Sequence, residues 1–230
     1  MKNILLIGGS YGIGLALAKK LYKDANVHIA SRTSENIPDA ITHHTFDVLE
    51  DEIATLKLPD TIDGFVFCPG SINLRPFPAL KLKDFKEDMQ LNFFSLVRIV
   101  QALIPKLKKA DQASLVFFST VAVKVGMPYH TTVAAAKGAV EGFAKALAAE
   151  YAPSLRVNVI APSLTNTPLA SRLLSSEEKI EKMGARHPLK RVGTTDDIAA
   201  IAQFLLSDAS SWMTGQVIGV DGGMSTLQNK

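Results

Sequence analysis

The sequence contains little cysteine, no long apolar run and no excess of charge of either sign. Cys68 is the single cysteine, so the chain forms no internal disulfide and suits a reducing, cytoplasmic environment. No run of about 18 apolar residues occurs, so we expect no membrane-spanning segment and no membrane partner. The 25 Lys and Arg residues exceed the 22 Asp and Glu residues by only 3, and this balance argues against a nucleic-acid partner.

Metal-binding side chains are equally sparse. The histidines and the one cysteine show none of the spacings that hold zinc. His43 and His44 are adjacent, and neighbouring side chains of a strand point to opposite faces of the sheet. We therefore expect no metal site.

Short apolar runs recur along the chain, separated by helical patterns. The 230 residues show no linker, repeat or low-complexity segment, so we expect one domain over residues 1–230. Continuous apolar runs are typical of strands buried on both faces of a parallel sheet. Seven strands are predicted: Asn3–Ile7, Val27–Ala30, His43–Phe46, Asp63–Cys68, Ser114–Phe118, Leu155–Ile160 and Gln216–Val220.

Helical periodicity fills the intervals between these strands. The predicted helices are Gly12–Lys23, Glu50–Lys57, Leu82–Lys109 with an interruption at Pro105, Thr132–Tyr151, Pro168–Arg186 and Thr195–Leu206. Alternating strands and helices favour parallel pairing with right-handed connections. The sequence therefore predicts an α/β protein with a doubly wound, parallel seven-stranded sheet, a Rossmann fold, and helices on both faces.

A glycine-rich turn joins the first predicted strand to the first predicted helix. Gly8 permits a sharp turn, Gly12 lets the backbone approach a pyrophosphate, and Gly14 lets the helix pack closely on the strand. Ser10 and Ile13 complete the turn. The free N–H groups and the positive dipole end of a helix N-terminus attract phosphates. This pattern predicts a dinucleotide site.

The spacing of these glycines resembles that of the short-chain dehydrogenase/reductase family. Other motifs of that family follow in its order along essentially the whole chain: Asp47 after the third strand, Asn92 in Leu91–Ser95, Lys137 in Ala134–Gly138, Asn158–Pro162, and Val220–Gly223 near the C-terminus. The resemblance implies a nicotinamide-dependent oxidoreductase.

The resemblance also implies individual cofactor contacts. Asp47, with Val48 beside it, matches the acid that contacts adenine. Gly70 keeps the turn after the fourth strand, although the Asn residues that usually precede it are replaced here. Pro162 and Thr167 match positions near the nicotinamide.

The end of the second strand indicates which nicotinamide nucleotide binds. Members of the family that use NAD place an Asp or Glu there to hold the ribose 2′-hydroxyl. This chain has Ser31, followed by Arg32. A carboxylate would repel a 2′-phosphate, whereas an Arg binds it with charge-assisted hydrogen bonds. We therefore expect NADP(H) as the cofactor, the alternative being an Arg32 that is simply solvated.

The residue types at the catalytic positions depart from the family pattern. By resemblance, a Tyr exchanges a proton with the substrate oxygen, and a Lys four residues later lowers its pKa and holds the ribose. A Ser orients the substrate, and an Asn supports a nearby water. This chain keeps Asn92 and Lys137, but has Thr120 in place of the Ser and Val133 in place of the Tyr. Valine has no proton to give, so the usual Tyr–Lys couple cannot operate.

Two neighbours could replace the missing Tyr. The enoyl-reductase branch of the family uses a Tyr seven residues before its Lys; here Tyr129 lies eight residues before Lys137 and His130 lies seven before it. A histidine exchanges protons near neutral pH. Alternatively, both side chains only line the substrate loop, and solvent supplies the proton.

Two functions remain open from the sequence. The first is an NADP(H)-dependent oxidoreductase that acts on a carbonyl, alcohol or enone with a non-standard active site. The second is a catalytically inactive NADP(H)-binding protein with a sensing or assembly role, which would explain Val133 directly. A fold cannot decide between them.

Substrate and assembly are predicted only in outline. Apolar residues between Pro168 and Arg186 favour a partly apolar small-molecule substrate, although they could equally be helix packing: Leu169, Leu173, Leu174, Ile180 and Met183. The resemblance implies a homo-oligomer, a tetramer or a dimer, formed through the helices at about 82–110 and 132–151 and through the C-terminal strand.

Overall fold

The computed structural model describes residues 1–228, so the last two residues of the expected domain 1–230 lie outside the described part. Its strands are β1 (Lys2–Ile7), β2 (Ala25–Ser31), β3 (Thr42–Thr45), β4 (Gly64–Phe67), β5 (Ala113–Phe118), β6 (Leu155–Pro162) and β7 (Val217–Val220). They form one sheet in the order β3-β2-β1-β4-β5-β6-β7. Every neighbouring pair is parallel.

The central strands are buried along nearly their whole length. All residues of β4 and β5 are buried, as are the last four residues of β1. Strands of this kind need helices on both faces, since either face left bare would expose apolar side chains to water. The predicted doubly wound, parallel seven-stranded sheet is confirmed.

The helices are α1 (Gly12–Leu21), α2 (Leu82–Met89), α3 (Ser95–Leu107), α4 (Val121–Lys124), α5 (Thr131–Tyr151), α6 (Glu177–Gly184) and α7 (Thr195–Leu206). Within residues 1–228, none is both long enough and apolar enough to cross a membrane. A π-helical turn, Gln90–Phe94, joins α2 to α3.

Three helix predictions differ from the structure. The segment predicted as a helix over Glu50–Lys57 forms only a 3₁₀ turn at Ile53–Thr55. The Asp51 carboxylate accepts a hydrogen bond from the Asp47 backbone N–H, at 2.7 Å, and such local bonds compete with a helix. Of residues 50–57, Ile53 alone is buried, so little packing favours a longer helix.

The interruption predicted at Pro105 was also wrong. Pro105 lies inside the last turn of α3, and burial of Leu103 and Leu107 on either side carries the helix through it. The irregularity comes earlier, at the π-helical turn. Likewise, the helix predicted over Pro168–Arg186 divides into a 3₁₀ turn, Pro168–Ala170, and the shorter α6.

Two apolar layers hold the helices against the sheet. On one face, Phe65 and Phe117 pack with Leu96 and Ile99 of α3. On the other face, the buried side chains come from β1, β2, α1 and α7, among them Leu6, Ile29, Leu17 and Leu205. Burying a Leu, Ile or Phe side chain contributes about 1.5–3 kcal/mol, so the two layers fix the strands relative to the helices.

The backbone passes very close to itself at the junction between β1 and α1, near the carboxyl edge of the sheet. Gly8 has φ +78°, a left-handed conformation that favours glycine. A Cβ on Gly14 would lie 2.7 Å from the carbonyl oxygen of Gly8 and 2.9 Å from the Cα of Gly9. Strand β1 pairs with β2 on one side and with β4 on the other, and the chain crosses over from β3 to β4. This junction therefore lies at the switch point of the sheet, where α/β proteins bind ligands.

Replacing Gly14 with Ala should therefore strain the backbone. We expect Gly14→Ala to lower the free energy of unfolding by about 1–3 kcal/mol, because the new methyl group meets backbone atoms that cannot rotate away. Gly142→Ala in α5 is the matched control. A Cβ there meets nothing within 4 Å, so that change should raise stability by about 0.5–1 kcal/mol. Equal effects in urea denaturation would contradict this account of the junction.

Candidate active site

A cavity of about 570 Å³ opens at the carboxyl edge of the sheet. Each residue expected to bind the cofactor lines this cavity: Gly8, Ser10, Gly12, Ile13, Gly14, Ser31, Arg32, Asp47, Val48, Gly70, Lys137, Pro162 and Thr167. They come from distant parts of the chain and meet because all seven strands end at the same edge. Of the expected catalytic residues, Thr120, His130 and Lys137 line it as well.

The N-terminus of α1 forms one wall of the cavity. Tyr11 occupies the N-cap position without a side-chain hydrogen bond to the helix, and the first turn holds no acidic residue. The first N–H groups of a helix have no partner inside it. Here they carry the positive end of a helix of ten residues. This wall therefore suits a pyrophosphate.

The end of β2 forms the wall beside it. Ser31 donates a hydrogen bond to the carbonyl of Thr33 at 2.8 Å, and the Thr33 hydroxyl donates to Ser10 Oγ at 3.0 Å. His43 Nε2 lies 3.1 Å from Ser31 Oγ. Arg32 is exposed between these two hydroxyl residues. From this turn, Ser31, Arg32 and Thr33 line the cavity with a cation and hydroxyl groups, whereas Glu35 lies outside the lining. A cation with hydroxyl groups is the chemistry that a phosphate requires.

The end of β3 closes the same side of the cavity. The Asp47 carboxylate accepts a hydrogen bond from the backbone N–H of Leu49 at 2.9 Å, which holds the loop that also contains Val48. Asp47, Val48 and Leu49 all line the cavity. This loop adds a partly apolar surface next to the hydroxyl-lined wall.

Helix α5 brings Lys137 to the opposite side. Lys137 is 6% exposed, and burial lowers its pKa to about 8, against the smaller opposing effects of Cys68 and Asp88. Val133, one helical turn earlier, is buried and lines the cavity with an apolar surface. A lysine with this pKa can hold or release a proton close to physiological pH.

Thr120 and His130 line the cavity at the N-termini of α4 and α5. Thr120 caps α4, and its Oγ1 accepts a hydrogen bond from the N–H of Ala122 at 3.3 Å, so the hydroxyl hydrogen can be donated elsewhere. His130 Nδ1 lies 2.7 Å from the carbonyl oxygen of Pro128. Because a carbonyl only accepts, Nδ1 carries a hydrogen and Nε2 is the nitrogen that can exchange a proton.

Tyr129 and Asn92 lie outside the cavity lining. Tyr129 has φ +69° and its side chain is 56% exposed. Asn92 is fully buried in the π-helical turn and donates hydrogen bonds to the Asp88 carbonyl at 2.8 Å and to Ser71 Oγ at 2.9 Å. Such turns are frequent at functional sites.

Asn92 and Lys137 both approach Gly70. The point that a Cβ of Gly70 would occupy lies 3.4 Å from both Asn92 Oδ1 and Lys137 Nζ. The Asn92 amide and the Lys137 ammonium group are therefore neighbours on the same side of Gly70.

The remaining end of the cavity is mainly apolar. Pro162 ends β6, and Thr167 Oγ1 accepts a hydrogen bond from the N–H of Ala170 at 3.3 Å. Of the apolar residues expected near a substrate, Leu169, Leu173 and Met183 line the cavity, whereas Leu174 and Ile180 belong to a small apolar cluster beside it.

Sequence reasoning missed His187 and Ser163. His187 is 2% exposed and lines the cavity, with its Nε2 2.9 Å from Ser163 Oγ and its Nδ1 3.0 Å from the carbonyl oxygen of Met183. An isolated His after a predicted helix carries no motif that could have indicated this contact. Within residues 1–228, no group of three His, Cys, Asp or Glu side chains is arranged to hold a metal ion.

The burial of Lys137 should cost stability. A fall of its pKa from 10.5 to about 8, at about 1.4 kcal/mol per pKa unit, corresponds to roughly 3 kcal/mol. The unfolded chain binds the proton more tightly, so the cost is complete below about pH 8 and disappears as the pH rises towards 10.5.

We therefore expect the free energy of unfolding of the wild-type protein to gain up to roughly 3 kcal/mol as the pH rises from about 8 to 10.5, because the cost of burying the Lys137 charge disappears over this range. Lys137→Met carries no such charge and should lack this gain. Lys145→Met is the matched control: Lys145 is exposed on the same helix, so this variant should keep the gain. Urea denaturation at both pH values checks this, and the same pH dependence in the two variants would contradict the burial cost.

Comparisons with known proteins reveal relatives that match nearly the whole chain. A family model described as enoyl-(acyl carrier protein) reductase matches residues 8–225. A tropinone reductase homologue of Arabidopsis thaliana is 32% identical over 243 residues, which cover 97% of this chain and 92% of the relative. The 3-oxoacyl-(acyl-carrier-protein) reductase of Chlamydia trachomatis is 31% identical and covers 97% of each chain.

Solved structures extend the similarity to three dimensions. A gluconate 5-dehydrogenase from Burkholderia cenocepacia, in complex with NADP and tartrate, has a TM-score of 0.88 and 27% identity, covering 99% of this chain and 96% of that one. The family match spans the glycine-rich turn, Lys137 and most of the C-terminal region. The chain belongs to the short-chain dehydrogenase/reductase family.

Proposed function

We propose that the protein is an NADP(H)-dependent oxidoreductase that acts on a carbonyl, alcohol or enone substrate. The observation that carries the proposal is that one cavity joins the N-terminus of α1, Arg32 and Lys137. These groups suit a pyrophosphate, a 2′-phosphate and a ribose, the three polar parts of the cofactor that need the most specific contacts. When bound, the nicotinamide supplies the hydride.

The preference for NADP(H) over NAD(H) follows from charge. Arg32 and the hydroxyl groups of Thr33 and Ser10 would hold the 2′-phosphate. Ser31, Arg32 and Thr33 place no carboxylate at the end of β2, and Glu35 of the same loop does not line the cavity. The Burkholderia relative with NADP in its complex supports the same choice.

His130 is the proton donor that we favour in place of the missing Tyr. It lines the cavity, and the Pro128 carbonyl orients its ring so that Nε2 is free to exchange a proton. Tyr129 is exposed and outside the cavity lining, so its hydroxyl group is farther from any substrate held there. Thr120 would hold the substrate oxygen through its hydroxyl hydrogen.

Lys137 would have two roles in the reaction. Its ammonium group would bind the ribose hydroxyls, and its positive charge would stabilise the negative charge that develops on a carbonyl oxygen during reduction. Asn92, whose amide oxygen lies on the same side of Gly70 as Lys137, would support a water next to the Lys137 ammonium group. The apolar end of the cavity favours a substrate with an apolar part next to its reacting oxygen, and its lining includes Leu169 and Met183.

An enzyme is favoured over a cofactor-binding protein without activity. The relatives compared above are named as reductases or a dehydrogenase. The cavity extends beyond the cofactor contacts and retains a proton-exchanging histidine and a hydroxyl group at its substrate end. A sensor would need neither.

We also propose that the chain assembles as a homo-oligomer. Phe94, at the end of the π-helical turn, is 50% exposed, and Trp212, just before β7, is 99% exposed. Large exposed apolar side chains are typical of interaction surfaces. Phe94 belongs to the helical region around residues 82–110 through which assembly is expected, and Trp212 lies in the segment that leads into the C-terminal strand.

Loss of the His130 imidazole should abolish most of the activity. With NADPH and a panel of ketones and enones, we expect the wild-type protein to consume NADPH, as measured by absorbance. His130→Ala should lower kcat by about 10²–10⁴-fold, the usual contribution of a general acid. NADPH affinity should be nearly unchanged, because His130 lies at the substrate end.

Two companion variants separate the candidate donors. Tyr129→Phe should keep its activity, since the hydroxyl group lies outside the cavity. Val133→Tyr introduces the tyrosine that the family usually has at this position. It should not raise kcat greatly if His130 already supplies the proton. Activity that survives in His130→Ala but disappears in Tyr129→Phe, or a much faster Val133→Tyr variant, would contradict the assignment.

A further inference from the structure

One buried carboxylate has no role in the reaction described so far. Asp88 lies near the end of α2 and is 1% exposed. Removing a carboxylate from water costs several kcal/mol unless hydrogen bonds and an opposite charge compensate for it. The surroundings of Asp88 therefore show what compensates for its burial.

One of the two carboxylate oxygens of Asp88 accepts hydrogen bonds. Asp88 Oδ1 accepts from Ser71 Oγ at 2.6 Å and from Asn73 Nδ2 at 2.8 Å. Asp88 Oδ2 is buried and has no hydrogen-bond partner among residues 1–228. A carboxylate with one unsatisfied oxygen needs a nearby positive charge more than a fully hydrogen-bonded one does.

The same hydrogen bonds connect Asp88 to Asn92. Ser71 donates its hydrogen to Asp88, so its oxygen is free to accept from Asn92 Nδ2 at 2.9 Å. Asn92 Nδ2 also donates to the backbone carbonyl of Asp88 at 2.8 Å. Both amide hydrogens of Asn92 are thereby fixed, and Oδ1 is turned to the side of Gly70 on which Lys137 lies.

Lys137 Nζ lies on the same side of Gly70 as Asn92 Oδ1, and Lys137 interacts electrostatically with Asp88. Two titratable groups act on it: Asp88 from α2 and the Cys68 thiol from the end of β4. Burial raises the pKa of Cys68 to about 12, so this thiol is uncharged at neutral pH. Asp88 is then the negative charge, among the described residues, that favours the ammonium form of Lys137.

We propose that Asp88 is a positioning residue, a buried counter-charge that keeps Lys137 protonated and holds Asn92 through Ser71. Burial alone favours the neutral amine of Lys137. Asp88 opposes that effect, and Ser71 and Asn73 keep its carboxylate in place. The consequence for catalysis rests on the proposed function: a neutral Lys137 would no longer stabilise charge on a substrate oxygen.

A purely structural role for Asp88 makes a different prediction. If its carboxylate only satisfies Ser71 and Asn73, its loss should change stability but leave the protonation of Lys137 alone. The pKa of Lys137 therefore separates the two roles, and it can be measured without cofactor or substrate.

The experiment measures the pKa of Lys137 by NMR, from the pH titration of its side-chain Cε–Hε signal, assigned by the absence of that signal in Lys137→Met. In Asp88→Asn, which keeps the size of the side chain and removes its charge, we expect this pKa to fall by about 1 or more. Glu87→Gln is the matched control. Glu87→Gln removes one negative charge next to Asp88 in the sequence, but the Glu87 side chain is 59% exposed. This variant should therefore leave the pKa of Lys137 unchanged.

An equal pKa of Lys137 in wild type, Asp88→Asn and Glu87→Gln would overturn the proposal. If Asp88→Asn does not fold, Asp88→Ser tests the same point, because its smaller side chain leaves room for water beside Ser71 and Asn73. NADPH consumption is measured on the same variants. A lowered pKa without turnover in any variant would contradict the proposed function alone, whereas turnover with an unchanged pKa would contradict this inference alone.

Discussion

The close packing of α1 on β1 is the constraint on which the rest of the site depends. Only hydrogen fits at Gly14, since a Cβ would lie 2.7 Å from the carbonyl oxygen of Gly8. This contact aims the first N–H groups of α1 into the cavity at the switch point of the sheet. Because the strands are parallel, the same edge also carries Arg32 and receives Lys137 from α5. This one backbone contact therefore fixes the position of the α1 N-terminus relative to Arg32 and Lys137.

The site places charge where the fold would otherwise bury only apolar surface. Lys137 is 6% exposed and Asp88 is 1% exposed, next to strands that are wholly buried. Such groups reduce stability, and the two apolar layers of the sheet offset them. What the protein gains is a buried cation whose pKa of about 8 is close to physiological pH, at the wall of the cavity. Stability is lost where chemistry is proposed.

The sheet could be predicted from the sequence because buried apolar runs allow few other arrangements. The conformation of residues 50–57 could not be predicted, since the hydrogen bond that the Asp47 backbone N–H donates to the Asp51 carboxylate competes with a helix there. The buried network was also hidden, because Ser71 and Asp88 are 17 positions apart and no local pattern connects them. Tyr129 and His130 are adjacent in sequence, so no sequence pattern shows which of them lines the cavity. In the structure, the backbone at Tyr129 is left-handed, the Tyr129 side chain is exposed, and His130 lines the cavity.

The most direct measurement is calorimetric titration of the folded chain with NADPH and with NADH, repeated with Arg32→Ala. An Arg–phosphate contact is worth about 1.5–3 kcal/mol, so NADPH should bind wild type about 10–100-fold more tightly than it binds Arg32→Ala, while NADH affinity stays the same. Arg75→Ala, at an exposed ion pair outside the cavity, should change neither. If neither nucleotide binds the wild-type protein, or if NADH binds more tightly than NADPH, the account is contradicted.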